Sequence, residues 1–122
     1  MRLPTIIFVF TSFLISMSFA TLSWGHAFPD HSDPGVGSKI DTSPDRVRIW
    51  FNSELEAEFS TIRVEDSNEK QVDKGNCHVD ESNPKLLEVG IPALSRGTYH
   101  VKWVAVGRDG HRTQGDFSFT VK

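Results

Sequence analysis

Short runs in which apolar and polar residues alternate recur along the chain, and turn-forming residues separate them. This pattern is typical of strands with one buried face, because successive side chains of a strand point to opposite sides of the sheet. After the first 25 residues no stretch keeps a helical period. Five runs are clear, and they span residues 46–51, 59–64, 85–91, 99–104 and 116–121.

The same alternation predicts the core. In the run 46–51, Val47, Ile49 and Phe51 share one face. Aromatic residues at strand positions are also assigned to the core, namely Trp50, Phe59, Tyr99, Trp103, Phe117 and Phe119. Two further short strands are expected near Ala27 and Val72. The chain is therefore predicted to be all-β, an immunoglobulin-like Greek-key β-sandwich of about seven short strands.

The first 25 residues have the features of a secretory signal peptide. Arg2 supplies the positive start, residues 6–19 supply the apolar segment, and small residues mark two cleavage positions. Cleavage after Ala20, the more usual residue at that position, would leave Thr21 first, and cleavage after Gly25 would leave His26 first. The uncharged stretch 3–25 is long enough to cross a bilayer, but its serines, threonines and small-residue end favour cleavage. We therefore expect residues 26–122 to form one exported, periplasmic domain.

Composition narrows the function classes. The net charge is −3 and no basic run occurs, which argues against a nucleic-acid partner. The single cysteine, Cys77, cannot form an internal disulfide, so the exported domain must be held together by its core.

The segment 107–115 is predicted to be a polar loop that links the last two strands at one end of the sandwich. In extended chain, the spacing of Asp109 and His111 places both side chains on the same side, where they suit a divalent metal. Taken alone, the pair is more often an ordinary turn with a surface histidine. If His26 is the first mature residue, however, its α-amine and Nδ1 can form a chelate. With Asp109 and His111 the set becomes three nitrogens and one oxygen, which suits copper(II).

From His26 onward the chain resembles the CopC/PcoC family of exported copper-binding, copper-resistance domains. The resemblance covers essentially all of residues 26–122, and its ordered set of motifs is far more specific than any single one. The matching stretches are His26-Ala27 with Ser32-x-Pro34-x-x-Gly37, Trp50-Phe51 with 59–64, Leu94-x-x-Gly97-Thr98-Tyr99-x-Val101-x-Trp103, and Asp109-Gly110-His111 with Gly115-x-Phe117-x-Phe119-x-Val121.

The resemblance implies a single copper(II) site made by the amine and imidazole of His26 with Asp109 and His111. It thereby favours cleavage after Gly25, since with Thr21 first the nitrogen of His26 would be an amide that binds copper only after costly deprotonation. It further implies a non-enzymatic protein that sequesters or delivers copper in copper homeostasis or resistance. A CopD-type multi-span membrane copper transporter is the implied partner, and we expect a monomer.

The chain departs from the family pattern in two places. The region 65–83 contains no methionine, which excludes the thioether copper(I) site of some members. Cys77-His78 could supply a soft substitute, but an unpaired cysteine in a loop is more often a free thiol with no metal role. Where many members have Ser-Glu after the first aromatic strand, this chain has residues 52–54, with Glu54 as a weak candidate for a supporting carboxylate. His31 lies close to His26 in sequence but is expected to be solvated, and His100 is expected to be exposed on a strand.

Two other functions remain open from the sequence. A terminal histidine and a second histidine on copper also resemble the histidine brace of lytic polysaccharide monooxygenases, although Asp109 would occupy a position that oxygen activation needs. A metal-free β-sandwich accessory domain is the other alternative. It predicts that replacing Asp109 and His111 leaves copper binding unchanged.

Overall fold

Residues 26–122, which the computed structural model describes, form two four-stranded β-sheets that pack face to face around one core. Within this range the strands are β1 (Pro29–Asp33), β2 (Lys39–Ile40), β3 (Arg46–Phe51), β4 (Thr61–Glu65), β5 (His78–Val79), β6 (Leu86–Gly90), β7 (Gly97–Val106) and β8 (Arg112–Val121). A 3-10 turn at Ala57–Phe59 precedes β4. The predicted all-β sandwich is confirmed.

The two sheets draw on strands from both halves of the chain. One sheet has the order β1-β3-β6-β5 and the other β2-β8-β7-β4. All pairs are antiparallel except β2 with β8, which is parallel. The ten-residue strands β7 and β8 form a long hairpin that runs from the Gly97–Val121 pair to the Val106–Arg112 pair. This hairpin carries the turn on which the candidate site is built.

The predicted alternation of β3 is confirmed. Val47, Ile49 and Phe51 are at most 1% exposed, and they face the inner side chains of the other sheet. Phe51 meets Trp103 edge to face across the core, with ring centroids 5.4 Å apart. Tyr99 and Phe119 are also buried, as predicted.

Two of the aromatic residues predicted for the core lie outside it. Phe59 is 61% exposed, because it belongs to the 3-10 turn before β4 and not to the strand. Trp50 is only half-buried, since alternation in β3 turns it away from Phe51 onto the outer face. There its ring stacks on His31, and the Arg48 guanidinium lies 5.2 Å from its centroid.

The predicted loop 107–115 is too long, because β8 already begins at Arg112. Gly115 pairs with Trp103, and the Trp103 indole lies so close that a Cβ at position 115 would be 2.6 Å from it. The short strands also differ from expectation. The one predicted near Ala27 begins at Pro29, whereas the region of Val72 has only an isolated bridge between Glu65 and Gln71.

The predicted signal peptide, residues 1–25, lies outside the described residues. Among the helices of residues 26–122, none has the length and apolar character needed to cross a bilayer.

Candidate metal centre

The turn of the β7–β8 hairpin places Asp109 and His111 at one end of the sandwich. Gly107 N donates to His111 O at 3.1 Å, and Gly110 N donates to Gly107 O at 2.9 Å. Gly110 has a φ of 83°, a left-handed conformation that glycine adopts without strain. The turn is thereby closed tightly, and the two polar side chains leave it next to each other.

Asp109 and His111 are joined by two hydrogen bonds. One carboxylate oxygen accepts from the His111 backbone N at 3.0 Å, and the other lies 2.8 Å from His111 Nδ1. These bonds, the side-chain bond first, lower the pKa of Asp109, so its carboxylate stays charged at neutral pH. When Nδ1 of a neutral imidazole carries the proton, Nε2 has the free lone pair that a metal requires.

Contacts from two other elements fix the segment that contains His26. Ala27 is fully buried in the core, and its carbonyl accepts from Thr113 Oγ1 at 2.6 Å. Phe28 N donates to Asn52 Oδ1 at 2.8 Å, and Asn52 N donates back to Phe28 O at 2.9 Å. We call these contacts of Thr113 and Asn52 the N-terminal clamp. As a result, the His26 imidazole stacks on that of His111, with centroids 4.4 Å apart and planes at 13°.

The structure brings together the three residues that the sequence predicts as metal ligands. One donor atom from each of His26, Asp109 and His111 lies within 4.8 Å of the other two. His26 is half-buried, whereas Asp109 and His111 are exposed, so an ion can reach the group from solvent. Two imidazoles and a carboxylate fit copper(II) by donor type, and a free α-amine on His26 would add a third nitrogen.

The other histidines and Glu54 lie outside this group of donors. His31 is held on β1 by its stack on Trp50, and His100 is exposed on β7, as predicted. Glu54 forms an ion pair with Arg108, the residue before Asp109, at 3.0 Å. Glu54 therefore adjoins the ligand turn without joining the donor cluster.

Cys77 and His78 are engaged elsewhere. Cys77 Sγ accepts from Ile62 N at 3.2 Å, and burial raises the pKa of this thiol to about 11. His78 Nε2 lies 3.0 Å from Glu88 Oε1, and its Nδ1 lies 2.9 Å from Asn76 O. The thiol is therefore protonated at neutral pH, and both side chains already have polar partners away from the cluster of His26, Asp109 and His111.

Sequence reasoning missed both side chains of the N-terminal clamp. In the sequence Asn52 marks only a departure from the family pattern, and its contact with Phe28 spans 24 positions that no local pattern connects. The sequence does contain a signal for Thr113. This residue follows His111 by two positions, and in extended chain such residues lie on the same side.

Comparisons with known proteins agree with this architecture. The CopC domain family matches residues 30–122 of the chain. Protein YobA of Escherichia coli K12 is 29% identical over 111 residues, which cover 89% of this chain and 90% of YobA. The copper transport protein CutJ of Bacillus subtilis is 32% identical over 117 residues, which cover 95% of this chain but only 21% of CutJ.

Solved structures show the same fold. CopC from Methylosinus trichosporium OB3b superposes with a TM-score of 0.71 at 31% identity, over 80% of this chain and 94% of that protein. PcoC, a methionine-rich copper resistance protein from Escherichia coli, gives a TM-score of 0.69 at 27% identity, over 80% of this chain and 99% of its own.

Proposed function

Because this chain belongs to the CopC family, we propose that it is an exported, periplasmic protein that binds one copper(II) ion and sequesters or delivers it in copper homeostasis and resistance. The observation that carries the proposal is the convergence of His26, Asp109 and His111, whose donor atoms lie within 4.8 Å of one another. These residues are far apart in sequence, and only the fold brings them together.

Each ligand has a distinct role in this proposal. His26 supplies its α-amine and one imidazole nitrogen, which requires the leader to be cut after Gly25. His111 supplies a third nitrogen, and Asp109 supplies one oxygen and a negative charge that offsets the charge of the ion. Three nitrogens and one oxygen match the tetragonal environment typical of copper(II) and nickel(II), and of the divalent first-row ions copper(II) generally binds such donors most tightly.

The similarity to CutJ supports a role in delivery. In CutJ, a region like this chain makes up about a fifth of a copper transport protein. Since such a region occurs within one chain of a copper transport protein, we propose that the present protein passes copper to a separate membrane transporter of the CopD type.

A carrier needs no catalysis, and we propose that this protein is not an enzyme. Asp109 fills a coordination position that a copper oxygenase would leave open to oxygen. With copper(II) and ascorbate, the protein should consume little oxygen and form little peroxide, whereas sustained turnover would favour the histidine-brace alternative.

The proposed ligand set is tested by copper(II) competition titration of single variants. Asp109→Asn and His111→Ala should each weaken binding by more than about 10–100-fold, the loss that follows when only an outer-shell partner of a ligand is removed. His100→Ala is the matched control, because His100 is exposed on β7 and should leave affinity unchanged. Wild-type affinity in both ligand variants would favour the metal-free accessory domain.

A further inference from the structure

We propose that Thr113 is a positioning residue of the copper site, whose hydroxyl holds Ala27 and thereby sets where the His26 amine and imidazole lie. This inference rests on the proposed function, since it concerns how the same site gains its affinity. Thr113 does not contact the ion in this proposal. It acts through the residue that follows His26.

The hydrogen bond itself is short and well defined. Thr113 Oγ1 lies 2.6 Å from Ala27 O and 3.5 Å from Ala105 O. A hydroxyl has one hydrogen to donate, so the shorter contact identifies Ala27 O as the acceptor. The two residues are 86 positions apart, and the bond therefore ties the start of the domain to its last hairpin.

The position of Thr113 in the hairpin links it to the metal ligands. It lies two residues after His111, at the start of β8, where it pairs with Ala105 of β7. His111 contacts His26, and Thr113 contacts Ala27, the next residue along. The turn of the hairpin and the start of β8 thus contact two consecutive residues of the N-terminal segment, one through a proposed ligand and one through a hydroxyl.

The rest of the N-terminal clamp leaves little freedom beyond His26 itself. The side chain of Ala27 is fully buried in the core, and Phe28 is joined to Asn52 by two hydrogen bonds. A chelating amine that is already placed near its partners loses less conformational entropy when it binds an ion. Releasing Ala27 O should therefore weaken copper binding even though every ligand remains present.

The decisive variant is Thr113→Val, which replaces the hydroxyl with a methyl group of similar size. We expect copper(II) affinity to fall by about tenfold, which corresponds to the loss of one hydrogen bond. We also expect the electron paramagnetic resonance spectrum of bound copper(II) to change, because the amine and imidazole of His26 no longer reach the ion in one arrangement. Thr113→Ser, which restores the donor, should recover both.

Thr98→Val is the matched control. Thr98 lies at the other end of the same hairpin, where its hydroxyl is 3.1 Å from that of Thr120. Its replacement removes a hydrogen bond between β7 and β8 but none to the N-terminal segment. Affinity and spectrum should stay at their wild-type values. An equal loss in Thr98→Val would show that any weakening of the hairpin suffices, and it would overturn the proposal.

A second readout needs no copper. Hydrogen exchange at the Phe28 and Asn52 amides, which close the clamp, should be faster in Thr113→Val than in the wild type. Wild-type affinity, spectrum and exchange in this variant would overturn the positioning role. A wild-type protein that takes up no copper would instead overturn the proposed function, and the positioning role with it, whatever the exchange shows.

Discussion

At the scale of single residues, protons compete with copper(II) for the nitrogen lone pairs of the proposed ligands. An imidazole nitrogen or an amine nitrogen binds copper only when a proton does not occupy its lone pair. Asp109 behaves differently, because its hydrogen bonds with His111 keep its pKa below the ordinary aspartate value. Its carboxylate is therefore charged throughout the neutral and mildly acidic range, and nitrogen protonation alone sets the pH response there.

Copper(II) affinity should consequently fall as the pH is lowered from 8 to 5. Free histidine takes up a proton near pH 6.5, and a proton that occupies the lone pair of a ligand nitrogen must leave before copper binds there. Competition titrations at a series of pH values measure the slope. Affinity that stays flat over this range would exclude imidazole and amine nitrogens as ligands.

Cys77 offers a second test at this scale. Because burial raises the pKa of its thiol to about 11, almost no reactive thiolate exists at pH 8. Alkylation by iodoacetamide should be slow in the folded protein and fast after denaturation, as followed by intact mass. Cys77→Ala should bind one copper ion as tightly as the wild type does, whereas a lost ion would make the thiol a ligand.

At the scale of elements, alternation predicted strands well and their ends poorly. The inner face of β3 follows directly from the alternation of apolar and polar residues, because a shift of one residue would turn the polar side chains of the strand into the core. The exposed Phe59 shows the limit of the pattern at strand ends. A large aromatic residue next to a strand looks the same in the sequence whether it belongs to the strand or to the preceding turn. Alternation does not reveal that β8 begins at Arg112, because residues 112–115 are polar. Backbone hydrogen bonds to β7 hold these residues in the strand.

The packing of the hairpin gives a stability prediction. Gly115→Ala should destabilise the protein by about 1–3 kcal/mol, because its Cβ would lie 2.6 Å from the Trp103 ring and the buried indole must shift. Denaturant unfolding followed by tryptophan fluorescence measures the change. Gly35→Ala is the control, since a Cβ there meets nothing closer than Ser38 at 4.0 Å. Equal stability of the two variants would mean that Trp103 has room to move.

At the scale of the whole molecule, the candidate site joins the start of the domain to its last hairpin. All three clustered residues were predicted from the sequence, but the Asp-x-His pair alone favours an ordinary turn, and the resemblance to the CopC/PcoC family was needed to single out the set. It could not identify the N-terminal clamp, since Asn52 and Thr113 gain their roles only from contacts made across the fold. The fold is thus what converts three separated residues into one candidate centre.

In the proposed site, copper(II) is held by the free amine of His26 together with Asp109 and His111. Native mass spectrometry of protein exported with its own leader and given one equivalent of copper(II) tests this ligand set. A variant with one alanine inserted ahead of His26 serves as the comparison. We predict that the wild type has the mass of a chain that begins at His26 and retains one copper ion. The variant with the inserted alanine should bind copper more weakly by orders of magnitude. A chain that begins at Thr21, a wild type that retains no copper, or an extended variant that retains copper equally well would contradict the proposed chelate at His26.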